Sequence, residues 1–260
     1  MASSVSQGFS VYGEVQGIPV WGIGEVVPGD SIGDLIVDAL ALGGLGLHVG
    51  DVVVVKHKIV SKAEGRLVEL AKIKPSAAAA RFARQNGADA RVIELALCEA
   101  RRVVRKKHVL ITETTHGFVC ANSGVDVSNV DGGRYAVLLP LDPDRSAAVI
   151  SRRIKKRTTL HIPVIIADSF GRAWREGLNE VAIGLYGMHP IHDYRGQRDA
   201  YGYKMHATEE CVADELAGVA GLLCRKNNGV PACIIRGYRY LRGTGNAKQI
   251  VRPAARDLFR

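Results

Sequence analysis

A chain of 260 residues with 47% hydrophobic and 23% charged residues can bury a real core, and this composition excludes a disordered or fibrous class. No apolar run approaches the roughly 20 residues that span a bilayer, and the start M-A-S-S-V-S-Q lacks the basic lead and apolar core of a secretory signal; the expectation is a soluble, cytoplasmic protein with a loose tail over 1–10 and one domain over 11–260. The net charge of +9 favours an anionic partner, whether nucleotide, nucleic acid or acidic metabolite. The five cysteines are odd in number and never spaced C-x-x-C, which suits reduced thiols better than disulfides or a cysteine-rich zinc site.

In chain order, residues 11–28 are rich in glycine and β-branched residues and predict short strands with turns. A helix follows over 31–42, with Ser31 as its cap and Ile32, Leu35, Ile36, Ala39 and Leu40 as its apolar face. Gly50-Asp51 turns the chain into V-V-V-V, a run suited to a strand buried on both faces. The next stretch, K-H-K-I-V-S-K-A-E-G-R, brings Lys56, Lys58, Lys62 and Arg66 to one strand end. It is expected to be a loop that grips phosphates or a basic surface hairpin; it is not a P-loop, because G-x-x-x-x-G-K-[ST] is absent. Pro75 opens a helix to about residue 85, Gly87 breaks it, and Asp89 starts another whose last turn holds the basic cluster R-R-V-V-R-K-K at 101–107.

Strands are expected at 108–113, 118–121 and 135–139, then a helix capped by L-D-P-D that runs to about residue 158, then a buried strand over 162–167. The stretch from Gly171 to Tyr203 predicts a long polar loop holding Arg172, Arg175, Arg195 and Arg198; arginines there can fork onto phosphate or carboxylate. His189 and His192 are separated by a proline, which favours a structural or substrate-contact role over metal ligation. Thr208 is expected to cap a helix to about residue 225, with Val212, Leu216, Val219 and Leu223 buried; Glu209, Glu210, Asp214 and Glu215 suit its dipole, although Glu210 or Asp214 could also face a metal. A last buried strand covers 232–236. Strands and helices mix without strict βαβ alternation, so the fold class is α+β, with mixed sheets and packed helices. No nucleic-acid motif joins the basic clusters, so each is expected to be a solvated face and nucleic acid is disfavoured as a partner.

One stretch organises these pieces: V-C-A-N-S-G-V-D-V-S-N, ending at Asn129. Gly124 permits a turn that a side chain would obstruct, Asp126 supplies a hard oxygen ligand, and Asn129 supplies an amide that donates and accepts. Forty residues on, P-V-I-I-A-D-S-F-G-R repeats the theme with Asp168, Ser169 and Gly171. Two carboxylates, each beside a glycine at the end of a buried strand, suggest one divided metal–phosphate site. The competing reading is that both aspartates only cap helices or turns.

Taken together the segments resemble the coenzyme F420-0:L-glutamate ligases, or γ-glutamyl ligases. The matching pieces, in the family's order across nearly the whole chain, are S-K-A-E-G-R, H-G-F-V-C-A-N-S-G-V-D-V-S-N, L-L-P-L-D-P-D, A-D-S-F-G-R-A-W-R-E-G, V-A-I-G, E-C-V-A-D-E and R-P-A-A-R-D-L-F-R. The resemblance is to the single-domain form. It implies the unusual two-lobed α+β fold of that family, an intertwined homodimer, and a GTP- and divalent-metal-dependent enzyme (Mg²⁺ or Mn²⁺). Such an enzyme joins L-glutamate to a deazaflavin precursor by an amide bond and can add further glutamates through the γ-carboxyl. It further implies metal ligands at Asp126, Asp168 and Ser169, a catalytic set of Asp126, Asp168 and Lys62, and nucleotide contacts at Val15, Gln16, Gly17, Ile18, His57, Lys58, Lys62, Asn129, Asn227, Asn228 and Gly229. Arg172 and Arg175 would meet the substrate.

Two departures stand out. Family members often carry small hydroxyl residues where this chain has His57-Lys58. The turn C-R-K-N-N-G-V-P lacks an acid where some archaeal members place a glutamate metal ligand. The first bears on the nucleotide or substrate contact there, the second points to a metal held differently or to one metal fewer, and both suit an altered carboxylate acceptor. A basic nucleotide- or RNA-binding protein with a decayed site is the alternative from another class.

Overall fold

The structure, a computed structural model, describes residues 13–128 and 131–257; the expected tail over 1–10 and Asn129 lie outside them. In chain order the elements are β1 (Gln16–Pro19), α1 (Ile32–Leu42), β2 (Val52–Lys56), α2 (His57–Ala63), β3 (Leu67–Glu69), α3 (Ala77–Asn86), α4 (Ala90–Cys98), β4 (Ala100–Lys107), β5 (Val109–Thr114), β6 (Val119–Ala121), β7 (Tyr135–Val137), α5 (Pro143–Thr158), β8 (Val164–Arg172), β9 (Arg175–Tyr186), β10 (His192–Asp193), β11 (Glu209–Glu210), α6 (Val212–Cys224) and β12 (Ala232–Arg236). The mixture is α+β. None of the described helices is long and apolar enough to cross a membrane, and all five cysteines are unpaired.

A five-stranded sheet in the order β1-β12-β2-β8-β9 forms the centre. Its pairs are antiparallel except β2 with β8, which run parallel with Val53 opposite Val164 and Lys56 opposite Ala167. The four valines of β2 are buried, as a strand covered on both faces requires. Alternation sorts the side chains: Val53, Val55, Val164 and Ile166 pack with α1, α2 and α5, while Val52, Val54, Ile165 and Ala167 pack with α6. A third apolar cluster joins α3 and α4 to Leu110, Val125, Ala136 and Leu138. At the far end of the sheet the buried Asp51 takes a two-pronged ion pair from Arg236, at 2.9 and 2.8 Å, tying the start of β2 to the end of β12.

Several sequence expectations change. Only 16–19 of the described part of 11–28 is strand. The 56–66 stretch is neither loop nor hairpin, because α2 begins directly after Lys56; Ile59 and Val60 turn inward onto the sheet and leave Lys58 and Lys62 one turn apart on a common side. Pro75 stands outside α3, whose cap is the Ser76 hydroxyl accepting from Ala79 N–H. The 101–107 cluster is not a helix end. It forms β4, paired with β5 through two register shifts, and such bulges erase the alternation that would have announced a strand. Much of the expected long loop after Gly171 is β9, joined to β8 by the two-residue turn Ala173-Trp174; that pair is not one of the Gly- or Asn-bearing dipeptides that signal a hairpin. Asp168 is therefore inside β8 rather than at a strand end. At 208 the chain is not yet helical: Glu209–Glu210 pairs with β10, and α6 starts after Cys211. Val219 and Leu223 are only partly buried there, beside the fully buried Ala213 and Ala217.

The basic residues near 152–157 do lie on a helix face, but they are not only solvated. Arg153 and Arg157 reach Asp34 and Asp38 of α1 at 2.7–3.0 Å. Beneath α5, β9 must approach closely. A methyl group at Gly184 would collide with the Pro143 backbone, whereas one at Gly171 would meet only Leu178 Cδ2 at 4.0 Å. Gly184→Ala is expected to cost roughly 3 kcal/mol by overpacking, about 6–12 °C in Tm, and Gly171→Ala under about 1 kcal/mol; thermal melting of the two variants checks the contrast.

Candidate active site

The parallel pairing of β2 with β8 puts Lys56 beside Ala167, so the residues after each strand position meet. His57 opens α2 and Asp168 continues β8. His57 Nε2 lies 3.2 Å from Asp168 Oδ1, and the same oxygen lobe is fixed by the Ser169 N–H, which donates to Asp168 Oδ1 at 2.7 Å. The next residue of α2, Lys58, places Nζ 2.8 Å from Asp126 Oδ2 and also donates to Ser128 Oγ at 2.7 Å and Ser128 O at 3.0 Å. Two consecutive residues of α2 thus touch the two aspartates that the sequence singled out.

Asp126 is delivered by a loop that is pinned at its start. Ser123, buried, donates its hydroxyl to Ala96 O at 2.6 Å and its N–H to Thr112 Oγ1 at 2.9 Å. Gly124 has φ +72°, and a Cβ there would press on Leu139 at 2.8–2.9 Å, so the turn needs glycine on two counts. The Ser128 N–H then donates to Asp126 Oδ1 at 2.7 Å. Burial would push the Asp126 carboxyl up; Lys58 and the Ser128 N–H outweigh it and hold the group below the usual aspartate range.

Asp168 and Ser169 are adjacent in a strand, and their side chains diverge. Asp168 faces α2. Ser169 faces α6, where its hydroxyl donates to Glu180 Oε1 at 2.6 Å, across the β8–β9 ladder in which Ser169 is opposite Glu180. Glu180, which the sequence reading missed, is 6% exposed. Its Oε1 also takes Lys56 Nζ at 2.7 Å and Lys226 Nζ at 2.9 Å, and Lys226 contacts the Ser169 hydroxyl as well. Burial would raise the Glu180 carboxyl, but Lys56, Ser169 and Lys226 bring it down to about 2. The acid-free turn before Pro231 therefore contributes a cation to this cluster. Only hairpin pairing opposes Glu180 to Ser169, and no local pattern in the sequence reveals that.

The other expected residues are distributed as follows. Lys62 is buried, and its Nζ meets Glu25 Oε1 at 2.6 Å. Asn227, Asn228 and Gly229 are exposed in the turn before β12, at the same end of the sheet as Lys56 and Asp168, because Ala232 pairs with Val55. Ile18 and Gly17 lie on the edge strand, but Gln16 pairs with Arg236, about 13 Å further along the sheet than Ala232 at the usual strand rise. Gln16 and the exposed Val15 are thus not brought to the aspartates. Arg172 and Arg175 are paired at the exposed tip of the β8–β9 hairpin, four residues beyond Asp168. Asp214 accepts from the Ala182 N–H at 2.8 Å and Glu210 from Tyr194 at 3.0 Å; His192 stacks on Tyr194 at 4.2 Å. These three hold structure. A cavity of about 480 Å³ opens between α1, α2 and α5, lined by Asp30, Glu64, Arg145 and Arg153; Asp126, Asp168, Glu180 and His57 do not line it, so the chemistry is assigned from these side chains and not from this hollow.

Among the described residues no three His, Cys, Asp or Glu side chains form a ready metal cluster. Two buried polar atoms beside the aspartates nevertheless have no hydrogen-bond partner, His57 Nε2 and Glu180 Oε2. Orphaned buried atoms of this kind call for a group that supplies the missing bond. Oxygen-rich donors with one imidazole fit a divalent cation such as Mg²⁺ or Mn²⁺. Burial and the Asp168 charge push the nearby Cys120 thiol up to about 12.

Glu180→Gln is expected to lose roughly 3 kcal/mol near pH 7, since two ammonium groups lose their shared carboxylate. The Glu180 carboxyl is depressed in the folded state, so its stabilisation is present above its ordinary value of 4.5 and fades as pH falls towards about 2. Urea unfolding of both proteins from pH 7 to pH 3 should show the gap narrowing on the acid side.

Comparison with known proteins identifies the pattern. The sequence model for F420-0:gamma-glutamyl ligase matches residues 22–237. The coenzyme F420:L-glutamate ligase of Methanothermobacter thermautotrophicus is 45% identical over 257 residues, 97% of this chain and 99% of that protein. The ligases of the same name from Methanopyrus kandleri and Methanocaldococcus jannaschii are each 41% identical, over 91% and 81% of this chain and 94% and 85% of their own.

Proposed function

The chain belongs to the F420-0:gamma-glutamyl ligase family, and on that premise we propose that it joins L-glutamate to the carboxylate of the deazaflavin precursor F420-0, consuming GTP and requiring a divalent metal. The observation that supports this most strongly is the meeting of Asp168 and Asp126 with consecutive residues of α2, next to a lysine-rich strand end. A carboxylate and an amine do not condense in water. The acceptor carboxylate attacks the γ-phosphorus of GTP, GDP leaves, and an acyl phosphate results; the glutamate amine then attacks the acyl carbon and phosphate departs.

Asp126 and Asp168 would hold the divalent ion, which when bound neutralises charge on the phosphate oxygens. Lys58 already neutralises Asp126, so it must exchange towards phosphate as the ion enters. Lys56 and Lys226, which share the one carboxylate of Glu180, are cations at the strand end that a polyphosphate would recruit. Arg172 and Arg175, at the exposed hairpin tip, suit the phosphodiester and carboxylates of the acceptor, and Lys62 serves as a fixed cation one turn beyond Lys58. We also read the enzyme as a cytoplasmic homodimer.

The direct test is incubation with F420-0, L-glutamate, GTP and Mg²⁺ or Mn²⁺, following product mass. One or more added glutamyl units with matching GDP release are expected. Asp126→Asn and Asp168→Asn should each lower turnover at least about 100-fold, with thermal melting used to check that each variant keeps its fold. No mass gain with GTP still protecting the fold from heat would redirect the search to another carboxylate acceptor. Neither product nor protection, with RNA binding of steep salt dependence, would overturn the ligase reading.

A further inference from the structure

His57 is 2% exposed, yet its ring is poorly satisfied for a buried imidazole. Nδ1 lies 3.4 Å from Ser61 Oγ, a long contact. Nε2 lies 3.2 Å from Asp168 Oδ1 but makes no aligned hydrogen bond, and that oxygen already accepts the Ser169 N–H at 2.7 Å. The imidazole nitrogen and the carboxylate oxygen are thus close without being hydrogen-bonded to each other. Donors about 2.1 Å from one octahedral ion, in neighbouring positions, lie about 3 Å apart, which matches the observed separation.

We propose that His57 Nε2 and Asp168 Oδ1 are neighbouring ligands of one divalent cation, and that the imidazole turns this centre from Mg²⁺ towards first-row ions such as Mn²⁺. The proposal rests on the reading that Asp168 holds a metal. Mg²⁺ prefers an all-oxygen shell, whereas the first-row ions accept imidazole. The surroundings agree with this. The Lys58 ammonium next door contacts Asp126 and Ser128, so the imidazole is the side chain of α2 that faces Asp168.

The test uses the whole chain with its histidines labelled with ¹⁵N, loaded with Mn²⁺ alone and with Mn²⁺ plus GTP, and read by electron spin echo modulation. A ¹⁵N coupling is expected in the wild type and should vanish in His57→Gln, a substitution of similar bulk whose fold is checked by melting. In titrations of that variant Mn²⁺ affinity should fall about 10-fold and Mg²⁺ affinity less than about 3-fold. Bound Mn²⁺ with no histidine coupling in the wild type, a result independent of whether any variant folds, overturns the proposal and leaves His57 a packing residue. Persistence of the coupling in His57→Gln overturns it too, and so does failure of the wild type to bind Mn²⁺ under either condition. Glutamyl transfer measured on the same preparation separates the two claims: coupling without transfer removes F420-0 as the acceptor and keeps the metal ligand, and transfer without coupling keeps the ligase reading and removes the metal ligand.

Discussion

The parallel pairing of β2 with β8 is the constraint on which the rest depends. In a parallel pair the two strands end on the same side, so whatever follows each strand is brought together there. Here β2 ends at Lys56 and passes without a linker into α2, while β8 continues through Asp168 and Ser169. The antiparallel β12 begins at that same end and brings its preceding turn with it. Three chain segments that are remote in sequence converge because one buried strand, V-V-V-V, pairs on both sides. Its burial is anchored at the other end by the Asp51–Arg236 pair.

The cluster at this end is a set of opposite charges held in partial burial. Asp126 and Glu180 are kept ionised by lysines in spite of burial, and those lysines come from different elements. Charges removed from water cost free energy unless they are paired, so in the absence of other ions the protein supplies its own cations. Those cations are also the groups that a polyphosphate would recruit. The alternation of β8 divides the cluster: Asp168 is turned to α2 and His57, Ser169 to α6 and Glu180. One dipeptide thereby serves two chemical environments on opposite faces of the same sheet.

The third apolar cluster carries the Asp126 loop independently of the central sheet. Leu138 and Val125 pack with α3 and α4, and Ser123 bonds to both α4 and β5. The loop is therefore fixed before it reaches Lys58, and the Lys58–Asp126 contact joins two separately packed parts of the chain.

By itself the sequence determined the α+β class, the buried strands β2, β8 and β12, and the helices α1 and α5, the latter with its cap at Asp142 and the former starting after Ser31 without a side-chain cap bond; it also singled out Gly124, Asp126 and Asp168. These depend on local pattern: apolar runs, cap residues and a glycine before a carboxylate act within a few residues. The motif order across the chain determined the family. The tertiary structure alone decided that K-H-K-I-V-S-K is a helix, that R-R-V-V-R-K-K is a bulged strand, and that the arginine-rich stretch is half of a long hairpin. In each case pairing or packing with another segment overrode a charge-rich local sequence. It also decided that Glu180 faces Ser169, that Lys226 reaches both, and that His57 meets Asp168, because such contacts depend on strand register, which a linear sequence does not encode locally.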